Sequence, residues 1–187
     1  GESSGLIKFL IDQGVGEATD VLLIDYSKCI HCNNCETACA DVHDGTSRLN
    51  REAGATYAQI HVPTSCRHCE HPHCMKDCPP DAIHRSVNGE AFIGDSCIGC
   101  GNCQHNCPYG VIQMASPQDY KQRTVWQVIL GTGKLMNGAD EASKTAAKKA
   151  VKCDMCKGII GGSACVRACP TGAALRVSPE VFLGYVE

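Results

Sequence analysis

Sixteen cysteines in 187 residues divide into four quartets with none left over. They are Cys29, Cys32, Cys35 and Cys39; Cys66, Cys69, Cys74 and Cys78; Cys97, Cys100, Cys103 and Cys107; and Cys153, Cys156, Cys165 and Cys169. The first and third quartets have the spacing C-x2-C-x2-C-x3-C. Thiolates at this spacing hold cubane iron–sulfur clusters, and the fourth cysteine of a run serves the other cluster of a pair. A cubane presents four irons, each taking one soft, anionic ligand, which thiolate supplies. Three cysteines on one tight loop wrap a corner of the cubane, so the fourth ligand has to approach from the opposite side. Four quartets therefore imply four [4Fe–4S] clusters in two pairs. The chemistry is electron passage, which asks no side chain to move a proton.

Two other uses of cysteine compete. A disulfide scaffold also concentrates cysteine, but bridges give no reason for a repeated x2-x2-x3 pattern, and small secreted scaffolds are shorter. Structural zinc uses C-x2-C pairs. It joins two pairs across a longer loop, however, rather than a tight triplet with a fourth cysteine followed by proline. A zinc protein is colourless, whereas thiolate-bound iron predicts a brown one absorbing broadly near ~400 nm. Five of the eight histidines, His31, His68, His71, His73 and His105, lie inside or beside the quartets. Histidine replaces cysteine in Rieske centres, yet here every cluster already has its cysteines. Hydrogen bonding around the ligands or plain surface placement is the expectation. Tyr26, Tyr109 and Trp126 are read as packing residues.

The elements that must position these ligands have little apolar bulk to work with. One Trp, three Phe and five Tyr are few for a core of this size. The clusters are expected to fill it, leaving an apo chain poorly folded, because metal-binding energy is also folding energy. A net charge of −3 argues against nucleic acid or an anionic membrane surface as partner. No apolar run is long enough to span a bilayer. No signal peptide or twin-arginine run is present, although the sequence starts at Gly1 rather than Met. Reduced thiols favour the cytoplasm; membrane association or export through a partner is the alternative. A phosphate loop and a dinucleotide fingerprint are missing, and Gly131-Thr132-Gly133 is too short to count. The chain therefore reads as non-catalytic, with catalysis in another subunit or domain.

Residues 1–20 read as an N-terminal arm, amphipathic over Leu6–Ile11 and ended by Gly14 and Gly16. Val21–Ile24 reads as a buried strand leading to Cys29. Three quartets end alike: Cys78-Pro79-Pro80-Asp81-Ala82-Ile83, Cys107-Pro108-Tyr109-Gly110-Val111-Ile112 and Cys169-Pro170-Thr171-Gly172-Ala173-Ala174. Proline stops a helix after the cysteine, a turn residue follows, and an apolar residue packs under the neighbouring cluster. The first quartet departs from this with Ala40-Asp41. Between the second and third quartets, alternating runs flank Asn88-Gly89, predicting a hairpin with a type I′ turn. The chain is thus expected to be α+β and loop-rich, two nested ferredoxin-like pseudo-repeats organised around the clusters. An inner unit, 60–115, carries the second and third quartets. An outer unit, 21–59 with 151–180, carries the first and fourth. A surface insertion, 116–150, and a tail, 181–187, complete it. In the insertion Ser143–Ala150 reads as a helix. Lys144, Lys148, Lys149, Lys152 and Lys157 form a basic cluster, either a solvated face or, because charge steers association, a docking surface.

The second quartet, spaced x2-x4-x3, and the fourth, spaced x2-x8-x3, make with the two regular runs a combination more specific than any single quartet. Over about residues 21–180 the chain resembles the four-cluster ferredoxin-type electron-transfer subunits of molybdenum and tungsten oxidoreductases. Those are the iron–sulfur subunits of the dimethyl sulfoxide reductase, formate dehydrogenase and polysulfide reductase type; polyferredoxins of tungsten aldehyde oxidoreductases are similar. The resemblance implies that Cys29, Cys32 and Cys35 share a cluster with Cys169, and Cys153, Cys156 and Cys165 one with Cys39. It pairs Cys66, Cys69 and Cys74 with Cys107, and Cys97, Cys100 and Cys103 with Cys78. Some relatives carry Trp in place of a third-quartet cysteine and hold a three-iron cluster, but this chain keeps all four. The resemblance further implies a relay between a catalytic molybdopterin or tungstopterin subunit and another redox partner, a flavoprotein or a membrane-anchor subunit. The rival reading is a conduit of a flavin- or NAD-linked oxidoreductase within a larger polypeptide. Potentials of such clusters span roughly −700 to +450 mV, set by charge, hydrogen bonds to sulfur and exposure. Arg67 and His68 beside the second quartet, and Asp77 and Asp81 at its end, hint at differences without ranking the clusters.

Overall fold

The computed structural model describes residues 2–116 and 148–180. Trp126, Lys144, the 131–133 turn and residues 143–147 of the expected helix lie outside the described residues. In chain order the elements are α1 (Glu2–Asp12), a 3-10 turn (Val15–Glu17), β1 (Val21–Asp25), α2 (Asn34–Asp41), β2 (Asn50–Tyr57), β3 (Ile60–Thr64), α3 (His73–Lys76), β4 (Ile83–Arg85), β5 (Ala91–Ile93), α4 (Asn102–Asn106), β6 (Gln113–Ala115), β7 (Lys149–Val151), α5 (Ala164–Arg167) and β8 (Ala174–Val177). The class is α+β.

An antiparallel sheet of order β2-β3-β1-β8 frames one side. Val21, Leu22, Leu23 and Ile24 of β1 are all buried, as befits a central strand covered on both faces. The period of two then divides the work. Val21 and Leu23 pack with Leu10 of α1, Val15 and Val62, whereas Leu22 packs with Cys35, Cys39 and Cys165. One face of the sheet therefore seats the N-terminal helix, where Phe9 also stacks on Tyr57 at 5.6 Å, and the other face looks onto cysteines. The pairing of β1 with β8, from Val21 opposite Val177 to Ile24 opposite Ala174, joins the chain before the first quartet to the chain after the fourth. A bulge between Asn50 and Gly54 interrupts β2–β3. There a Cβ on Gly54, whose φ is 129°, would lie 2.1 Å from the Val62 carbonyl oxygen, so only glycine fits without movement.

Each short helix carries the third cysteine of one quartet: Cys35 on α2, Cys74 on α3, Cys103 on α4 and Cys165 on α5. α2 packs against α5 and α3 against α4, bringing the first quartet to the fourth and the second to the third. The apolar residues after the prolines, Ala82 and Ile83, Val111 and Ile112, Ala173 and Ala174, are all buried.

Two local expectations need correction. β4 and β5 do form a hairpin, with Ile83 opposite Ile93 and Arg85 opposite Ala91, but its turn is not the two-residue type I′. The loop is longer: Gly89 N–H bonds to Ser86 O, and Ser86 N–H to Glu90 O. Of the Asn-Gly pair only Gly89 takes a positive φ, 90°. Lys149 and Ala150 are strand rather than helix, paired through β7 with β6 so that Met114 faces Ala150 and Ala115 faces Lys149. Alanine and lysine favour helix in isolation; here Ala150 instead packs into the inner core beside Ile83, Val111 and Ile112. The strand crosses the expected boundary of the insertion at residue 150. Among the described residues no helix is long and apolar enough to cross a membrane.

Candidate iron–sulfur centres

The loop between the first and second cysteine bends the same way in every quartet. The residue just before the second cysteine has a positive φ in all four: His31 at 56°, His68 at 49°, Gly99 at 72° and Met155 at 56°. This left-handed turn folds amides back toward sulfur: His68 N–H donates to Cys66 Sγ (3.4 Å) and Met155 N–H to Cys153 Sγ (3.5 Å). Further amides reach the other runs, Ala82 to Cys78 Sγ, Ala164 to Cys156 Sγ and Arg48 to Cys39 Sγ, each at 3.3 Å. Donors aimed at sulfur suit thiolates, which gain more from a hydrogen bond than neutral thiols do.

The sulfurs then gather across quartets. Cys29, Cys32 and Cys35 line one cavity with Cys169. Cys66, Cys69 and Cys74 line another with Cys107. Cys97, Cys100 and Cys103 line a third with Cys78. Cys153, Cys156 and Cys165 have Cys39 as their neighbour, close enough for its charge to act on both Cys165 and Cys156. Crowding works against ionisation. Burial, then the charges of Cys66 and Cys107, push the Cys69 thiol up to about 11. Burial raises Cys165 to about 12, with Cys153, Cys39 and Cys156 adding to it against the opposing Arg176. Thiols raised in this way hold a charge only beside a cation, which bound iron would supply while deprotonating them.

Buried polar groups around the cavities fit an anionic, sulfur-rich occupant. Lys152 is 2% exposed; its Nζ donates to Cys66 Sγ (3.4 Å), to Ala91 O and to Cys153 O (3.2 Å). The Arg176 guanidinium donates to Cys153 Sγ at 2.9 Å and to Asp20 at 2.6 Å. Burial opposes its charge, but Cys153 and Asp20 outweigh burial and raise its pKa. His68 is fully buried and lines the Cys66 cavity. Burial, with Lys152 and Arg176 nearby, drives its pKa to about 2. Ala91 N–H donates to its Nδ1 at 3.0 Å, which places the ring proton on Nε2, and that atom has no partner among the described residues. An unpaired donor lining a cysteine cavity is what a cluster sulfur would satisfy. Arg51 lines the Cys29 cavity, held by Asn33 Oδ1 (2.8 Å) and His31 Nδ1 (2.9 Å). By contrast, apolar side chains such as Pro80, Ile83, Ile93 and Ile98 surround the cysteines of the third cavity.

A clasp around Cys39 was invisible in sequence. His43 Nδ1 donates to Cys39 O (2.7 Å) and Nε2 to Asp154 (3.0 Å), while Arg48 donates to the other Asp154 oxygen (2.7 Å). Burial opposes the imidazolium, but the bonds to Asp154 and Cys39 lift its pKa to about 10. The clasp ties α2 to the loop of the fourth quartet. Arg176 was equally invisible in sequence: only the β1–β8 pairing sets it opposite Leu22, and paired strand residues share a face. The expected basic cluster is not one surface. Lys152 is buried, Lys149 donates to Asp95 O (3.0 Å), and Lys157 sits 3.3 Å over the Phe92 ring. His71, His73 and His105 are exposed. Tyr26 stacks on His61 (4.7 Å), and Tyr109 packs under Arg67 and donates to Glu17.

Residues 56–124 and 96–173 each match a 4Fe–4S dicluster domain model, and residues 26–42 match a 4Fe–4S binding domain. The sequence is 35% identical to hydrogenase-4 component A of Escherichia coli (strain K12) over 163 residues, covering 81% of this chain and 79% of that protein. It is 34% identical to the electron transport protein HydN of the same organism over 166 residues, 83% of this chain and 86% of that one. It is 33% identical to the arsenate respiratory reductase iron–sulfur subunit ArrB of Shewanella sp. (strain ANA-3) over 115 residues, 57% of this chain and 48% of that subunit.

Proposed function

Because the chain belongs to the 4Fe–4S dicluster family of iron–sulfur electron-transfer proteins, we propose that it holds four [4Fe–4S] clusters and relays electrons between a catalytic oxidoreductase subunit and a second redox partner. One site is Cys29, Cys32, Cys35 and Cys169; a second is Cys153, Cys156, Cys165 and Cys39. The third is Cys66, Cys69, Cys74 and Cys107, and the fourth is Cys97, Cys100, Cys103 and Cys78. The observation that carries this reading is the gathering of three cysteines of one quartet with the last of another in a single cavity. The nested arrangement of two ferredoxin-like units is favoured by the packing of α2 on α5 and α3 on α4.

A [4Fe–4S] cluster, when bound, takes up and releases single electrons. The chain's own part is to hold, insulate and bias. Left-handed turns aim amides at sulfur, the apolar residues after each proline exclude water, and Lys152, Arg176 and Arg51 supply positive charge beside the thiolates. The catalytic partner in this reading carries molybdopterin or tungstopterin. The combined quartet spacings support it, as does similarity to ArrB, itself an iron–sulfur subunit of a reductase. The test is anaerobic purification of the native complex, with iron, sulfide, molybdenum, tungsten and flavin quantified. Four clusters per chain and a large molybdenum or tungsten subunit are expected. Two clusters per chain would overturn the cluster count, and a flavoprotein or hydrogenase subunit without either metal would overturn the partner.

A further inference from the structure

We infer that the Lys152 ammonium is a counter-charge shared by two sites, that of Cys66, Cys69, Cys74 and Cys107 and that of Cys153, Cys156, Cys165 and Cys39, and that it makes both easier to reduce. The inference rests on the four-cluster reading above and assigns a role to a residue that holds no iron.

The position of Lys152 is set by the chain on both sides. It follows β7, whose pairing with β6 fixes the backbone, and it precedes Cys153, a ligand of the outer site. Its side chain crosses to the inner site, donating to Cys66 Sγ at 3.4 Å, while Nζ also bonds back to Cys153 O at 3.2 Å. One ammonium therefore touches groups of both sites, 86 residues apart in sequence.

The charge has no other evident purpose. Among the described residues no carboxylate lies within ion-pair distance of Lys152; the carbonyls of Ala91 and Cys153 offer only partial charges. A buried cation without a counter-ion is strongly destabilising, and the group able to carry negative charge that Nζ touches among the described residues is Cys66 Sγ. Arg176 makes a useful contrast. It reaches Cys153 Sγ too, but Asp20 at 2.6 Å offsets its charge. The cysteines of the third cavity are ringed by apolar side chains, and Arg51 lines the Cys29 cavity. A positive charge near a cluster stabilises its reduced, more negative form, and low dielectric strengthens the effect.

The experiment is an anaerobic redox titration of the whole chain followed by electron paramagnetic resonance, preceded by iron and sulfide analysis. Fewer than four clusters in the unsubstituted protein would refute the four-cluster reading instead, so the two failures are distinguishable. Lys152→Gln keeps a donor for the Ala91 carbonyl and removes the charge; Lys152→Met removes both. In each, two of the four clusters are expected to become at least tenfold harder to reduce at a fixed potential, a shift of about 59 mV per tenfold for one electron. The other two stay put, and Lys152→Arg restores most of the shift. Four unmoved potentials, a uniform shift of all four, or a shift confined to one cluster would overturn the inference. If the neutral variants lose iron, joint loss of the same two clusters with full loading of Lys152→Arg supports it. Loss of one cluster alone, or failure of Lys152→Arg as well, overturns it.

Discussion

Replacing Cys107 by alanine separates ligation along the sequence from ligation in space. Cys107 closes the run Cys97, Cys100, Cys103, Cys107, yet it lines the cavity of Cys66, Cys69 and Cys74, whereas Cys78 completes the cavity of its own run's first three members. If the cavities mark the sites, Cys107→Ala removes the cluster of the second quartet. With four clusters of equal composition, the loss is about a quarter of the iron and sulfide. The diagnostic quantity is the non-additivity of double variants, which reveals whether two residues serve one unit. Cys107→Ala with Cys66→Ala should lose no more than either change alone, still about a quarter, because both remove ligands of one site. Cys107→Ala with Cys97→Ala should lose about half, because two sites are emptied. Iron and sulfide analysis of anaerobically purified protein, with resonance spectra of the reduced clusters, reads both. The reverse pattern, additive loss with Cys66 and none beyond the single with Cys97, would refute the cross-quartet grouping.

Three further outcomes follow from the packing. Gly54→Ala should lower thermal stability by about 2 kcal/mol or more, since a side chain at a positive φ against the Val62 carbonyl is strained twice over; thermal melting of the loaded protein checks it. Leu22→Ala removes a fully buried side chain that packs on Cys35, Cys39 and Cys165. It should cost about 2–5 kcal/mol and speed iron release to a chelator, while an exposed control, Val87→Ala, leaves both unchanged. Asp154→Asn removes the negative charge that His43 and Arg48 share and turns one of the two acceptor oxygens into a donor. Leaving a buried charge unpaired costs about 3–5 kcal/mol, so this variant should unfold at lower temperature and lose the cluster associated with Cys39 first, visible as a partial bleaching before global melting.

Much of the site was legible because its signal is local. The x2-x2-x3 runs, the prolines after three quartets and the apolar residues behind them each specify a turn or a buried position within a few residues, and the buried Ala82, Ile83, Val111, Ile112, Ala173 and Ala174 follow that pattern. The buried run Val21–Ile24 was equally plain. Misreadings came where local preference competed with distant contacts. Asn88-Gly89 signals a tight turn, but the pairing of Arg85 with Ala91 leaves a longer loop to close. Lys149-Ala150 favours helix, but a partner strand was waiting in β6.

By itself the sequence pointed to the cysteine sulfurs as ligands of iron–sulfur clusters, a chemistry the 4Fe–4S domain matches support, since ligand type and close spacing are properties of short segments. The resemblance already implied which quartet lends its last cysteine to which site; only the tertiary structure shows the cavities these sulfurs line and what surrounds them. His43 meets Asp154 across 111 residues, Lys152 meets Cys66 across 86, and Arg176 meets Asp20 across 156. In sequence these are two ordinary lysine and arginine positions and an unremarked histidine. They become buried charges facing thiolates only when β1 pairs with β8 and β6 with β7, because burial and electrostatic partnership are set by distance in space, which spacing along the chain does not encode.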